Sequence, residues 1–245
     1  RAAVALANLA AAEDAADRVG AARQLWFRAL RDLDPSGVRR LLVTANLANS
    51  ESLVGSFGAA AAGHRRVAER AAELGLVAVA LQAELNLAET ELARGEADTA
   101  AQRWLETAER ARAAGLPLVA AGCEVELGRV DLALGREESA ARRLEAVLPE
   151  LERLGLDLEQ ARAWRLLVVA EAARRSPDPV RLERARAALR GPGLGAQRDL
   201  LEIDLALVGV GTGPRRTAAA ARRLAGRGLR HRGELGLALS AIQEV

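Results

Sequence analysis

Apolar residues return every three or four positions along most of the chain. Between residues 76 and 113 the series Leu81, Leu85, Leu92 is followed by Ala101, Leu105, Ala108. That spacing puts the side chains on one stripe of a helix. A break at Gly95 divides the series, so a first helix is predicted over about 76–94 and a second over about 98–113. Glycine suits the break because it can take the left-handed conformation that closes a helix.

The same pattern recurs along the sequence. Asn8-Leu9-Ala10, Asn46-Leu47-Ala48 and Asn86-Leu87-Ala88 are followed by Glu126-Leu127-Gly128 and Leu166-Leu167-Val168. The central leucines, Leu9, Leu47, Leu87, Leu127 and Leu167, therefore keep a nearly constant step. Gly55, Gly95 and Gly135 lie eight residues after the leucine; Ala60, Ala100 and Ala140 lie five further on, and Ala22 stands in the same column. Trp26, His64, Trp104 and Leu144 form the next column. Leu74-Gly75-Leu76, Ala114-Gly115-Leu116 and Leu154-Gly155-Leu156 mark the turn into the following unit. One helix pair cannot bury its apolar stripe alone, so pairs must stack.

The expected organisation is units at about 1–36, 37–75, 76–115, 116–155 and 156–190, then an Arg-rich continuation or helical cap over 196–245. In the fifth unit Ser176-Pro177-Asp178-Pro179 replaces the glycine turn, and a second helix is expected over about 180–190. Gly191-Pro192-Gly193-Leu194-Gly195 is the strongest breaker. A sixth pair is expected over 196–208 and 215–227, and one more helix over 234–245.

Composition agrees with an all-helical chain. Of 245 residues half are hydrophobic but only 2% aromatic, with no Tyr and no Met, so sheets lack their usual β-branched and aromatic material. All 35 basic residues are Arg, set against 33 acids, for a net charge of +2. A single Cys excludes a disulfide scaffold, and no apolar run approaches the ~20 residues of a membrane span. The chain opens on Arg1, already in helical pattern and without a signal-peptide profile, which points to a cytoplasmic piece of a longer protein.

The order Asn-Leu-(Ala/Gly), Gly, Ala, large residue, with Asp34-Pro35 between the first two units, resembles the tetratricopeptide repeat. The resemblance covers residues 1 to about 150 well and 151–190 loosely. Units of roughly 38–40 residues exceed the usual ~34 and look like the longer repeats of large bacterial signalling proteins and ATP-dependent transcription regulators. The resemblance implies a right-handed α-solenoid of antiparallel helix pairs, about five or six repeats plus a terminal helix, with a concave face lined by first helices.

Enzyme chemistry finds no support. His64 falls in the large-residue column, His231 sits among arginines, and Cys123 aligns with Ala83 and Ala163 as a small buried thiol. They offer no zinc spacing and no nucleophile–base pair. Gly209-Val210-Gly211-Thr212-Gly213 lies between helices rather than after a strand, so it reads as a loop and not a phosphate cradle. Glu89 with Glu91, Glu137 with Glu138, and the Arg pairs at 65–66, 142–143, 174–175, 215–216 and 222–223 read as solvated helix charges.

Binding is the expected activity. The resemblance implies that Asn8, Asn46 and Asn86 face the concave groove, where an amide both donates to and accepts from a peptide backbone. Residues three apart extend the strip to Asn49, Glu89, Glu126, Arg129, Arg162 and Arg165. The competing role for the Asn column is bonding between neighbouring helices. Arg215, Arg216, Arg222, Arg223, Arg227, Arg230 and Arg232 form an acid-free stretch suited to an acidic partner or to another part of the same parent chain. The expected function is a non-catalytic protein- or peptide-interaction module, sensor or scaffold of a larger bacterial regulator, with no cofactor, no metal and no membrane contact. Two alternatives remain: the regulatory repeats of a multidomain enzyme (a caspase-like protease or signalling ATPase), or a nucleic-acid-binding helical repeat acting through the Arg-rich part.

Overall fold

The computed structural model describes residues 2–16, 18–174, 178–191, 194–209 and 214–225. These contain twelve helices and no strand: α1 (Ala2–Ala15), α2 (Val19–Asp32), α3 (Val38–Leu53), α4 (Phe57–Glu73), α5 (Val77–Ala93), α6 (Ala97–Ala113), α7 (Pro117–Ala133), α8 (Glu137–Arg153), α9 (Asp157–Ala173), α10 (Pro179–Ala188), α11 (Gly195–Leu207) and α12 (Pro214–Ala225). The predicted pairs are present, their ends within one or two residues of expectation. The helix expected over 234–245 lies outside the described residues.

Every turn from α3 to α9 is built the same way. Gly55, Gly75, Gly95, Gly115, Gly135 and Gly155 take positive φ between 66° and 83°. At the first of these, Gly55 N–H donates to Ser52 O (3.0 Å) and Ser56 N–H to Glu51 O (2.8 Å). This double closure caps the last carbonyls of the helix. The Ser56 carbonyl then accepts from Ala60 N–H (3.0 Å) and starts the next helix. The turn inside a repeat and the turn between repeats are therefore one structure, recurring at an even step from Gly55 to Gly155.

The pattern departs where the glycines stop. Asp178 accepts from Val180 N–H (2.8 Å) and caps α10, with Pro179 in its first turn. A proline here costs nothing, because its missing N–H would be unpaired anyway. The helix that follows is only 10 residues long.

The chain forms two compact units, residues 1–120 and 121–245. In the first, Trp26 lies in a cluster with Ala7, Ala10, Ala22, Ala29, Val43 and Leu47. Val67, Ala68 and Ala71 of α4 pack with Leu41 of α3 and with Ala80 and Ala83 of α5. In the second, Leu144, Val147, Leu148 and Leu151 of α8 pack with Val125 of α7 and with Ala163, Leu166, Leu167 and Ala170 of α9. Leu200 and Ile203 of α11 meet Ala220 of α12.

Small residues in the third place of the triplet have a steric cause. A Cβ at Gly63 would lie 2.7 Å from the Cβ of Ala48, and one at Gly128 would lie 2.7 Å from Leu144 Cδ2. In these two pairs the second helix presses directly on this column. The column of large residues is fully enclosed: Trp26, His64, Trp104 and Leu144 are all buried, as is Cys123.

Trp104 also donates its indole N–H to Leu85 O (3.2 Å), tying α6 to α5. Replacing Trp104 by Ala is expected to cost about 3–5 kcal/mol, through lost burial and a residual cavity. A urea titration of wild type and variant measures it.

Burial pushes the His64 imidazole down from its ordinary 6.5 to about 4. Between those values the unfolded chain takes up a proton that the folded chain refuses, so stability falls as pH drops through this window. The loss from this group is about 2 kcal/mol between pH 7 and pH 5. His64→Leu, the residue type found at Leu144, should remove that share of the pH dependence in paired unfolding titrations.

Candidate functional site

The first helices carry two kinds of polar side chain, one facing out and one facing in. In the first unit the outward set coincides with the predicted strip. On α3, Val38, Leu42, Asn46 and Asn49 follow one another at helical spacing and are all exposed. On α5 the equivalent face holds Ala78, Gln82, Asn86 and Glu89, with Asn86 half-buried. Asn86 donates through Nδ2 to Asn49 Oδ1 (3.2 Å) and accepts from Gln82 Nε2 (3.1 Å). Three amides thus form one chain across α3 and α5. Asn8 is exposed on α1.

In the second unit the strip is charged. Glu126 of α7 is buried and pairs with Arg129 (2.5 Å) one turn on and with Arg162 of α9 (3.3 Å). Arg165 turns away from this group. It is buried and pairs with Asp204 of α11 (2.5 Å). Arg129 and Arg162 therefore meet at one carboxylate, while Arg165 joins α9 to α11.

The inward set was missed by sequence reading. Glu51, Glu91, Asp131 and Glu171 recur at one constant step, and all four are buried. Glu91, expected among the solvated charges, is only 4% exposed. Each acid is held by an arginine. Arg23 of α2 donates to Glu51 with contacts of 2.8, 2.9 and 3.1 Å. Arg103 of α6 spans Glu91 (2.8 Å) and Glu84 (2.7 Å), and these bonds, Glu91 first, hold its guanidinium above its ordinary value. Arg143, also expected to be solvated, binds Glu124 (2.5 Å) and Asp131 (3.4 Å). Arg181 of α10 pairs with Glu171. The constant step between the acids was the available signal. The arginines hide it, because they come from different places in the second helices.

Of the Arg-rich segment, Arg222 is exposed and Arg223 pairs with Asp199 of α11 (2.7 Å). The side chains of Arg215 and Arg216, and all of Arg227, Arg230, His231 and Arg232, lie outside the described residues, as does most of the glycine-rich turn over 210–213. Among the described residues no group of His, Cys, Asp and Glu could hold a metal ion, and no helix is long and apolar enough to cross a membrane.

The helix pairs, their glycine turns and the small-residue column define a tetratricopeptide-like helical-repeat fold. Solved structures share it. A Rap protein complexed with competence and sporulation factor matches 98% of this chain and 69% of its own, with TM-score 0.77 at 11% identity. The Rap conjugation gene regulator of plasmid pLS20, in complex with the Phr* peptide, matches 90% of this chain with TM-score 0.74 at 12% identity. A signal-transduction ATPase with numerous domains and a tetratricopeptide-repeat sensor, from Pyrococcus horikoshii, matches 91% with TM-score 0.64 at 13% identity. This chain spans 62% of the pLS20 regulator and 35% of the archaeal ATPase. No family model matches the sequence. No curated protein matches it either.

The inward acids predict a graded effect on stability. Arg103→Ala strands two partly or wholly buried carboxylates and is expected to cost about 1–3 kcal/mol. Arg70→Ala breaks an exposed pair with Glu73 (2.7 Å) and should change stability by less than about 1 kcal/mol. Thermal melts of the two variants side by side test the contrast.

Proposed function

We propose that this chain is a non-catalytic peptide- or protein-binding module, the sensor or scaffold region of a larger cytoplasmic bacterial regulator. Its partner lies along the outward face of the first helices. The observation that carries the reading is the amide chain Gln82–Asn86–Asn49, set beside the exposed Val38 and Leu42. Amides with donors and acceptors at the surface suit a peptide backbone, and the adjoining aliphatic groups suit its side chains. Similarity in fold to a Rap regulator in complex with the Phr* peptide, and to a Rap protein complexed with competence and sporulation factor, supports the same use here.

The charged part of the strip extends the reading. Arg129 and Arg162 both reach Glu126, so two guanidiniums stand together in this part of the strip. It favours a carboxylate on the partner, since a guanidinium can donate two parallel hydrogen bonds. Asn8, Asn46, Asn49, Asn86 and Glu89 are the binding residues proposed for the first unit. Glu126, Arg129 and Arg162 are those of the second, and Arg165 serves by holding α9 in place.

A peptide library displayed on phage, selected on this protein, tests the proposal. Peptides so enriched are expected to lose about 1–3 kcal/mol of affinity for Asn86→Ala, because a backbone group on the peptide is left desolvated and unpaired. The variant should unfold at nearly the wild-type temperature. Enriched peptides that bind Asn86→Ala and Asn49→Ala as tightly as wild type would overturn the reading.

A further inference from the structure

The second repeat lacks an internal brace that the third and fourth possess. In those two, an arginine one residue before the large-residue column (Arg103, Arg143) reaches a pair of first-helix acids (Glu84 with Glu91, Glu124 with Asp131). The corresponding positions in the second repeat are Gly63, Thr44 and Glu51. Arginine and one acid are absent together. Glu51 remains, but Arg23 reaches it from α2 instead.

The place left by the brace is a cavity of about 280 Å³ between α2, α3 and α4, with Thr44, Glu51 and Gly63 in its wall. That is just below the usual range of about 300–1,000 Å³ for ligand pockets, so an occupant would be small. Phe27, Leu30, Leu41 and Val67 supply the apolar lining, and Phe27 is 52% exposed. A large aromatic ring left half in water at a cavity wall is a surface with burial still to gain.

Charge decides what kind of molecule fits. A cation in the vacated arginine position would meet Glu51, but Arg23 already neutralises that carboxylate with three contacts. The remaining charged residues of the lining are Arg40, Arg66 and Arg70. Arg66 is exposed and makes no ion pair among the described residues; the guanidinium of Arg40 donates to the carbonyls of Leu30 and Leu33; Arg70 pairs with the exposed Glu73. The surroundings are positive, and a guanidinium facing an apolar cavity favours a carboxylate or similar anion.

We propose that the cavity between α2, α3 and α4 binds a small organic anion, an aryl or short alkyl carboxylate, with its apolar body against Phe27, Leu41 and Val67 and its anionic group at Arg66. The site lies apart from the amide chain proposed to bind a peptide. It does not rest on that proposal.

Calorimetric titration of the whole chain with 2-naphthoate, and separately with octanoate, is the test. Saturable one-to-one binding of at least one of them is expected, with no binding of 2-naphthylmethylamine. Arg66→Glu should weaken it by about tenfold or more, the loss of one charge-assisted contact. Ala59→Trp, at an exposed position of the lining, should block entry, and circular dichroism checks that both variants fold. Asn86→Ala should bind the anion as wild type does, which separates this site from the peptide site. The proposal is overturned if neither anion binds, if the amine binds equally well, or if Arg66→Glu and Ala59→Trp leave anion binding unchanged.

Discussion

Closure of α3 through α8 by a glycine in the left-handed region is the constraint on which this fold depends. From Gly55 to Gly155 the chain reverses at even intervals through one turn geometry. Because the turn is constant, α4 through α9 all have 17 residues. Equal lengths put the large-residue column, the small-residue column and the buried acids at matching places along each helix. The packing of one helix on the next is then the same problem solved repeatedly, with Trp, His or Leu as the variation in the enclosed position. Where the glycine is replaced by the Asp178-Pro179 start, the helix shortens and the columns lose their step.

Much of the fold was legible because it is written in residue size and in backbone freedom. Glycine at a closing turn, alanine where helices approach and a large residue between pairs each answer to local sterics, so their spacing survives in the sequence. The buried acids obey the same step and could have been found by it. They were overlooked because Glu91 and Asp131 look like ordinary surface charges, and their arginines keep no common register: Arg23 stands three residues before the large-residue column, Arg103 and Arg143 one before, and Arg181 lies in the helix where that column has lost its step. Which arginine meets which acid is decided by how long side chains bridge neighbouring helices.

Pairing along the predicted strip was not legible in the sequence. Asn86 was picked out by the family resemblance and Asn49, Glu126 and Arg162 by their places along the helices, whereas the bonds Asn49–Asn86 and Glu126–Arg162 join successive first helices. Arg165 shows the limit of that method. Its partner Asp204 lies far along the chain, past the broken turns of the fifth unit, where no column could be projected. The same side chains thus join neighbouring helices and shape the surface on which a partner is proposed to bind. Such a surface is pre-ordered, so less side-chain freedom remains to be lost when something binds.

The identity of the turns within and between repeats has a consequence for how this architecture changes over time. Nothing in the backbone distinguishes the end of one repeat from its middle, since Gly55 and Gly75 close their helices alike. Any two-helix stretch bounded by equivalent glycines carries matching seams at both ends. Such a chain can gain or lose whole repeats by unequal recombination without inventing a new junction. Selection can then act on the side chains of each copy separately, keeping a brace in one and opening a cavity in another.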